Sequence, residues 1–221
     1  MTEVLQLENL RVSFDTPRGR LEAVRGVSLT VNQGESLGIV GESGSGKTVL
    51  SRASMGLLTM STAHRDGTVI FSGQNLSSAS RDEVRENWGT GMAMIFQDPM
   101  TALNPVRRIG SQLGEGLRVR LGMSKSEAKT RCIELLKLVR IPDPEQALRK
   151  FPGQLSGGMR QRVMIAIALA CNPKLLFADE PTTALDVTVQ AQILQLLSEL
   201  RKELNMSMVL VTHDLGVVAG H

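Results

Sequence analysis

The chain runs to 221 residues, 42% of them hydrophobic, with 25 Lys and Arg against 22 Asp and Glu for a formal net charge of +3. That is enough apolar material for one compact core with room for a subdomain. The charges are interspersed, aromatics make up 3% and Tyr is absent, which argues against a basic nucleic-acid arm and against a base-stacking platform for single strands.

The opening MTEVLQLENL carries neither a basic segment nor an apolar stretch, so no signal peptide is expected. No apolar run approaches the roughly 20 residues of a membrane-spanning helix, so any membrane role is expected to go through a partner. Within residues 1–40, VLQLENLRVSF and VSLTV alternate with the period of half-buried strands. SLGIV, Ser36 to Val40, is instead a continuous apolar strand. It runs directly into GESGSGKT, and a helical pattern follows from Lys47 to Leu58.

Strand, glycine-rich loop and helix are the context a phosphate loop requires. Gly41, Gly46, Lys47 and Thr48 satisfy G-x-x-x-x-G-K-[ST]. The glycines let backbone N–H groups turn inward at a helix N-terminus, which already favours anions. In that motif Lys47 reaches the β- and γ-phosphates and the Thr48 hydroxyl binds Mg²⁺.

Strands are expected next at TVIFS and MAMIF. From Pro99 to Gln154 the pattern changes to helices. SKSEAKTRCIELLKLV opens with a capping box, Ser124 and Glu127, and its Ile133, Leu136 and Val139 recur near helical spacing. PDPEQALRKF starts a further short helix with Asp143 as cap and Pro144 in the first turn. VMIAIALAC, Val163 to Cys171, reads as a buried helix. The two cysteines, Cys132 and Cys171, lack metal-ligating neighbours and read as buried reduced thiols.

The α/β pattern then resumes. KLLFA is a buried strand, and the following Asp179 and Glu180 fall at its carboxyl end, where open α/β sheets bind ligands. Asp179 suits a Walker B role, holding Mg²⁺ through water. Glu180 suits polarisation of an attacking water, because phosphoryl transfer needs positioning more than strong base chemistry. Asp186 caps a helix with Ile193, Leu197, Leu200 and Leu204 on one stripe, and SMVLVT is a last buried strand. The expected fold is α/β: a P-loop NTPase-type, mostly parallel sheet with an N-terminal antiparallel β part and an inserted helical subdomain. Residues 1–98 and 155–221 form the core and 99–154 the insertion.

At LSGGMRQR the sequence resembles the signature motif of ATP-binding cassette (ABC) ATPases. Ser156 caps a helix there, and Gly157 and Gly158 expose its first N–H groups, a second anion site on the chain. Other segments follow the family's order. Gln97 in FQDP resembles the Q-loop glutamine, which contacts Mg²⁺ and the attacking water. ALD, Ala184 to Asp186, resembles the D-loop, and His213 in VTHD the switch histidine at the γ-phosphate. Phe14 in VSF resembles the A-loop aromatic that stacks on adenine.

The resemblance implies an ATPase using ATP and Mg²⁺. It makes Phe14, Gly41, Glu42, Ser43, Gly44, Ser45, Gly46, Lys47, Thr48, Val49, Ser156, Gly157, Gly158 and Asp186 nucleotide-binding. Glu180, His213, Gln97 and Lys47 become catalytic, and Thr48, Gln97 and Asp179 metal-binding. FQDPMTALNP and DEPTTALDVTVQAQIL are most similar to ATPase subunits of oligopeptide and dipeptide importers, with nickel importers sharing much of the wording. The implied partners are permease subunits, a second ABC ATPase subunit of the same or a homologous chain, and a solute-binding protein through the complex, with no nucleic acid. The implied place is the cytoplasmic face of the membrane. A non-transport ABC ATPase and an ATP binder without turnover stand as alternatives. Family chains continue well past the switch histidine, whereas this sequence ends eight residues after His213. A missing C-terminal part is therefore expected.

Overall fold

The computed structural model describes residues 2–58, 63–183, 185–214 and 216. Ala184, in the ALD segment, and residues 217–221 lie outside them. The chain begins with two long strands, β1 (Glu3–Thr16) and β2 (Gly19–Asn32), then β3 (Ser36–Val40) and helix α1 (Lys47–Ser54). Next come β4 (Ala63–Phe71), β5 (Gln74–Asn75), α2 (Arg81–Glu86) and β6 (Met92–Ile95). A helical block follows: α3 (Pro99–Ala102), α4 (Ile109–Leu121), α5 (Lys125–Leu138) and α6 (Pro144–Arg149). The chain closes with α7 (Gly157–Leu169), β7 (Leu175–Asp179), α8 (Val187–Glu203) and β8 (Ser207–Thr212).

Two sheets result. One is antiparallel, in the order β2-β1-β4-β5; the other is parallel, in the order β3-β8-β7-β6. The continuous apolar runs of β6, β7 and β8 follow from burial on both faces. Leu176, Ala178, Met208 and Leu210 face a core shared with α7, α8 and the helical block. Leu175, Phe177, Val209 and Val211 face a second core, shared with α1 and the antiparallel sheet. The expected fold class is therefore met. β3, at the margin of the described parallel sheet, is only half-buried along its length.

Two local expectations need correction. The helix from Lys47 ends at Ser54, not Leu58, and Gly56 in the left-handed region (φ 67°) turns the chain away. Asp143 stands at the start of α6 but makes no side-chain cap bond. Pro144 disfavours the helical region for the residue before it, and Asp143 takes φ 47°, ψ 64° instead. The Ser124–Glu127 capping box and the Asp186 cap form as the sequence predicts, with Asp186 accepting from Val189 N at 3.0 Å.

Candidate active site

The loop from Gly41 to Gly46 joins the carboxyl end of β3 to the first turn of α1. Gly46 is the start of the helix, at φ 92° and ψ 4°. A Cβ there would come within 2.2 Å of the Ala23 carbonyl oxygen, so the loop sits against β2 as closely as backbone allows. Lys47 is 8% exposed. Its ammonium donates to the carbonyls of Gly41 and Glu42, both at 2.7 Å, and reaches Ser45 Oγ at 3.4 Å. The lysine is thus folded back over its own loop, at the rim of a cleft of about 660 Å³. Leu21, Ala23, Val24, Ile39, Val40 and Leu50 supply much of that cleft's wall.

Thr48 points from the first turn of α1 toward β7, and its hydroxyl donates to Asp179 Oδ1 at 2.9 Å. Asp179 is fully buried, and Oδ2 has no hydrogen-bond partner. Burial pushes its carboxyl above the usual carboxylate range; the Thr48 hydroxyl, Arg52 and Lys47 pull it back down, and Glu180 adds to the rise. A hydroxyl beside a carboxylate with a buried oxygen unspent fits a hard cation such as Mg²⁺. No group of three or more His, Cys, Asp or Glu able to hold a metal occurs among the described residues. A cation here would take its other ligands from water and phosphate, which suits Mg²⁺.

Glu180, one residue beyond β7, takes φ 45°, rare for a side chain with a Cβ. Its amide donates to Val211 O at 2.9 Å, which seats it at the sheet edge. Three groups converge on its Oε2. Gln97 Nε2 donates at 2.9 Å, Thr183 Oγ1 donates at 3.0 Å, and His213 Nδ1 lies 3.5 Å away, an ion pair when the imidazole is protonated. Gln97 follows β6 and His213 follows β8. The ends of three adjacent parallel strands therefore deliver the glutamine, the glutamate and the histidine to one point.

Several of the remaining sequence-predicted residues sit elsewhere. Ser156 is the cap of α7, accepting from Met159 N at 3.3 Å, and neither it nor Gly157 nor Gly158 lines the cleft. A Cβ on Gly157 would lie 3.5 Å from Leu185 Cδ2, and one on Gly158 3.0 Å from Val189 Cγ1, so these glycines also let α7 approach the start of α8. Glu42, Ser43, Gly44 and Ser45 are exposed on the loop, with Gly44 and Ser45 lining the cleft, and Val49 turns partly into the core. Phe14 lies within β1, paired in register with Leu21 and Ala63 and packed against the core; it is not among the residues lining the cleft. Sequence reasoning passed over Thr183. Its one signal was a second hydroxyl three residues after the acid in DEPTT.

Residues 24–183 match the protein family described as ABC transporter. The dipeptide transport ATP-binding protein DppD of Bacillus subtilis is 52% identical over 220 residues, 99% of this chain and 66% of the relative. The oligopeptide transport ATP-binding protein OppD of the same organism is 51% identical over 220 residues, 99% and 62% respectively. OppD of Salmonella typhimurium is 50% identical over 217 residues, 98% and 64%. The chain thus spans a little under two thirds of the length of these relatives. Among solved structures, dimeric MJ0796, a bacterial ABC transporter cassette, superposes with a TM-score of 0.86 at 30% identity, covering 97% of this chain and 90% of that one. A post-hydrolysis dimer of MJ0796 bound to ADP and Pi gives 0.85 at 31% identity, covering 96% and 89%.

Proposed function

The chain belongs to the ABC transporter family, and from that premise we propose that it is the ATP-hydrolysing, nucleotide-binding part of a peptide importer subunit. The observation that carries this reading is the convergence of Gln97, Thr183 and His213 on a single oxygen of Glu180. It stands at the same sheet edge as the Thr48–Asp179 pair.

The triphosphate of ATP lies along residues 41–48, with the N–H groups at the start of α1 around its oxygens. Lys47 exchanges the carbonyls of Gly41 and Glu42 for phosphate oxygens. Thr48 and Asp179 hold Mg²⁺, which neutralises charge building up on the phosphates. Glu180 aligns the attacking water. Its Oε2 is engaged by Gln97, Thr183 and His213, which leaves Oε1 to accept from that water. His213, 3.5 Å from Oε2, stabilises negative charge when protonated.

The Ser156 helix stands apart from the cleft and needs a nucleotide from another chain. Two chains therefore pair head to tail, each closing its Ser156 turn over the other's phosphate loop. That the similar cassette MJ0796 is dimeric supports the pairing of two chains. No helix among the described residues is long and apolar enough to cross a membrane, so transport requires a permease partner. The helical block, residues 99–154, carries eleven Lys and Arg against five Asp and Glu, a formal +6, and leaves the rest of the chain at −3. A cleft of about 350 Å³ in this block is lined by Arg108, Arg118, Lys125, Lys129 and Arg149 against one acid, Glu145, with Cys132 and Leu148 among its apolar lining. That surface suits an acidic, partly apolar permease segment at the cytoplasmic face of the membrane. The names of the relatives favour peptides over nickel as the solute, delivered by a solute-binding protein through the complex.

The test is Mg-ATP turnover by the chain beside Glu180→Gln, with nucleotide affinity measured on both. Turnover that disappears in the variant while affinity stays is the expected result. Turnover that persists in Glu180→Gln removes Glu180 from the reaction and overturns the reading.

A further inference from the structure

Gln161 is a polar residue on an otherwise apolar helix face. It is 1% exposed, within α7 and among buried Val163, Met164, Ile165 and Ala166. An unpaired amide would be costly there. Its Nε2 donates to the carbonyl of Pro181 at 2.5 Å. That carbonyl belongs to the residue immediately after Glu180, whose left-handed backbone persists only when its surroundings over-determine it.

Several bonds provide that over-determination. The Glu180 amide donates to Val211 O, and the Thr183 amide donates to Glu180 O at 3.2 Å. Gln190 on α8 donates its Nε2 to Thr182 O and Leu185 O, both at 3.1 Å. Two glutamines, one from each flanking helix, thus hold the carbonyls of the segment between Glu180 and Asp186. The first turn of α7 lies beside the far end of the same segment, where a Cβ on Gly157 would come within 3.5 Å of Leu185 Cδ2. The signature helix therefore holds this segment at Pro181 and lies beside it at Leu185.

We propose that Gln161 is a positioning residue for Glu180: through Pro181 it makes the Ser156 turn and the Glu180 carboxylate of one chain move as a unit. A nucleotide held by Ser156 in one site is thereby sensed by Glu180 in the other. This rests on Glu180 acting on the attacking water, as proposed above.

The experiment compares the parent chain with Gln161→Leu, Gln161→Met and Gln161→Glu by ATP affinity, turnover and amide hydrogen exchange across residues 180–186. Leu and Met keep the bulk and lose the donor. Both should exchange faster at the Glu180 and Thr183 amides, bind ATP within about twofold of the parent, and turn over about tenfold to hundredfold more slowly. Gln161→Glu carries the readout that a packing role would not move. A neutral carboxyl can donate to the Pro181 carbonyl and a carboxylate cannot. Its deficit should be large near pH 8 and shrink toward about pH 6, as the buried acid takes up a proton. Parent-like exchange in the Leu and Met variants overturns the proposal, and so does parent-like turnover. The exchange result stands whether or not Glu180→Gln abolishes turnover, so failure of the Glu180 assignment is told apart from failure of the Gln161 tie.

Discussion

The Thr48 hydroxyl donates to Asp179 Oδ1 across 2.9 Å, joining two residues 131 positions apart in the chain. The bond fastens the first turn of α1 to the carboxyl end of β7. It spends one oxygen of a fully buried carboxylate and leaves the other without a partner. Burial without full pairing is destabilising, and such sites are retained where a ligand completes them. The phosphate loop and the acidic strand are in this sense two halves of one incomplete coordination shell.

Thr48→Val tests that relationship. The variant keeps the shape of the side chain and removes the hydroxyl, so the Asp179 carboxylate loses its one hydrogen bond. ATP affinity with Mg²⁺ present should fall about tenfold, while affinity in excess chelator stays near the parent value, because phosphate contacts from backbone N–H groups remain. Unfolding free energy should drop by about 2 kcal/mol. Isothermal titration in the two buffers decides the matter. Equal losses in both would make Thr48 a loop-folding residue rather than a cation ligand.

The phosphate loop offers a second contrast, between Gly44 and Gly46. Both have positive φ, 82° and 92°. A Cβ on Gly44 meets nothing within 4 Å, whereas one on Gly46 lies 2.2 Å from the Ala23 carbonyl. Gly44→Ala should therefore cost only the left-handed strain, about 1 to 2 kcal/mol, and keep nucleotide affinity within a few-fold. Gly46→Ala must also displace β2, whose Ala23 and Val24 wall the cleft. Its cost should reach about 3 to 5 kcal/mol, with nucleotide binding lost. Similar outcomes for both would mean that the contact with Ala23 carries no weight.

Much of this was legible in the sequence where one physical cause dominates. KLLFA and SMVLVT read as buried parallel strands because both of their faces are covered. The Ser124–Glu127 capping box was legible because donor and acceptor lie three residues apart. β2 proved harder. It spans 14 residues, and its register against β1 shifts between the Leu10–Val27 and Arg11–Arg25 pairs, where Gly26 takes φ 94°. A bulge breaks the period-two pattern, so only parts of β2 could be read as strand. Thr183 and Gln161 were not legible, because their partners are fixed by how β7, α7 and α8 come together and not by spacing along the chain. Phe14 could be placed on a strand from sequence, yet that this strand lines none of the cleft is a matter of sheet packing.

Thr183 and Gln97 share one acceptor atom, Glu180 Oε2. Thr183→Val and Gln97→Ala should each lower turnover about fivefold and leave ATP affinity nearly unchanged. Because each donor partly compensates for loss of the other, the double variant should lose distinctly more than the product of the two single effects. A strictly multiplicative double variant would show that the two donors act on Glu180 independently of each other.

Cys132 makes a prediction for the helical block, away from the nucleotide. It is buried in α5, and burial pushes its thiol from 9.0 up to about 11, with Arg118 pulling the other way. The folded chain therefore keeps this proton to higher pH than the unfolded chain does. Below pH 9 both states hold it, and it contributes nothing to the pH dependence. Between 9 and 11 the folded state binds more protons, so stability falls as pH rises through that window. Cys132→Ala removes the titration and leaves a small cavity, making the variant less stable near neutrality by about 1 kcal/mol. Other groups titrate alike in both chains and cancel. The gap between parent and variant should then shift in the variant's favour by up to about 3 kcal/mol as pH rises from 9.0 to about 11. Urea unfolding midpoints across that range measure it. A gap constant from 9 to 11 would mean that the folded thiol ionises at its ordinary value, and that the lining of the basic cleft at Cys132 is open to water.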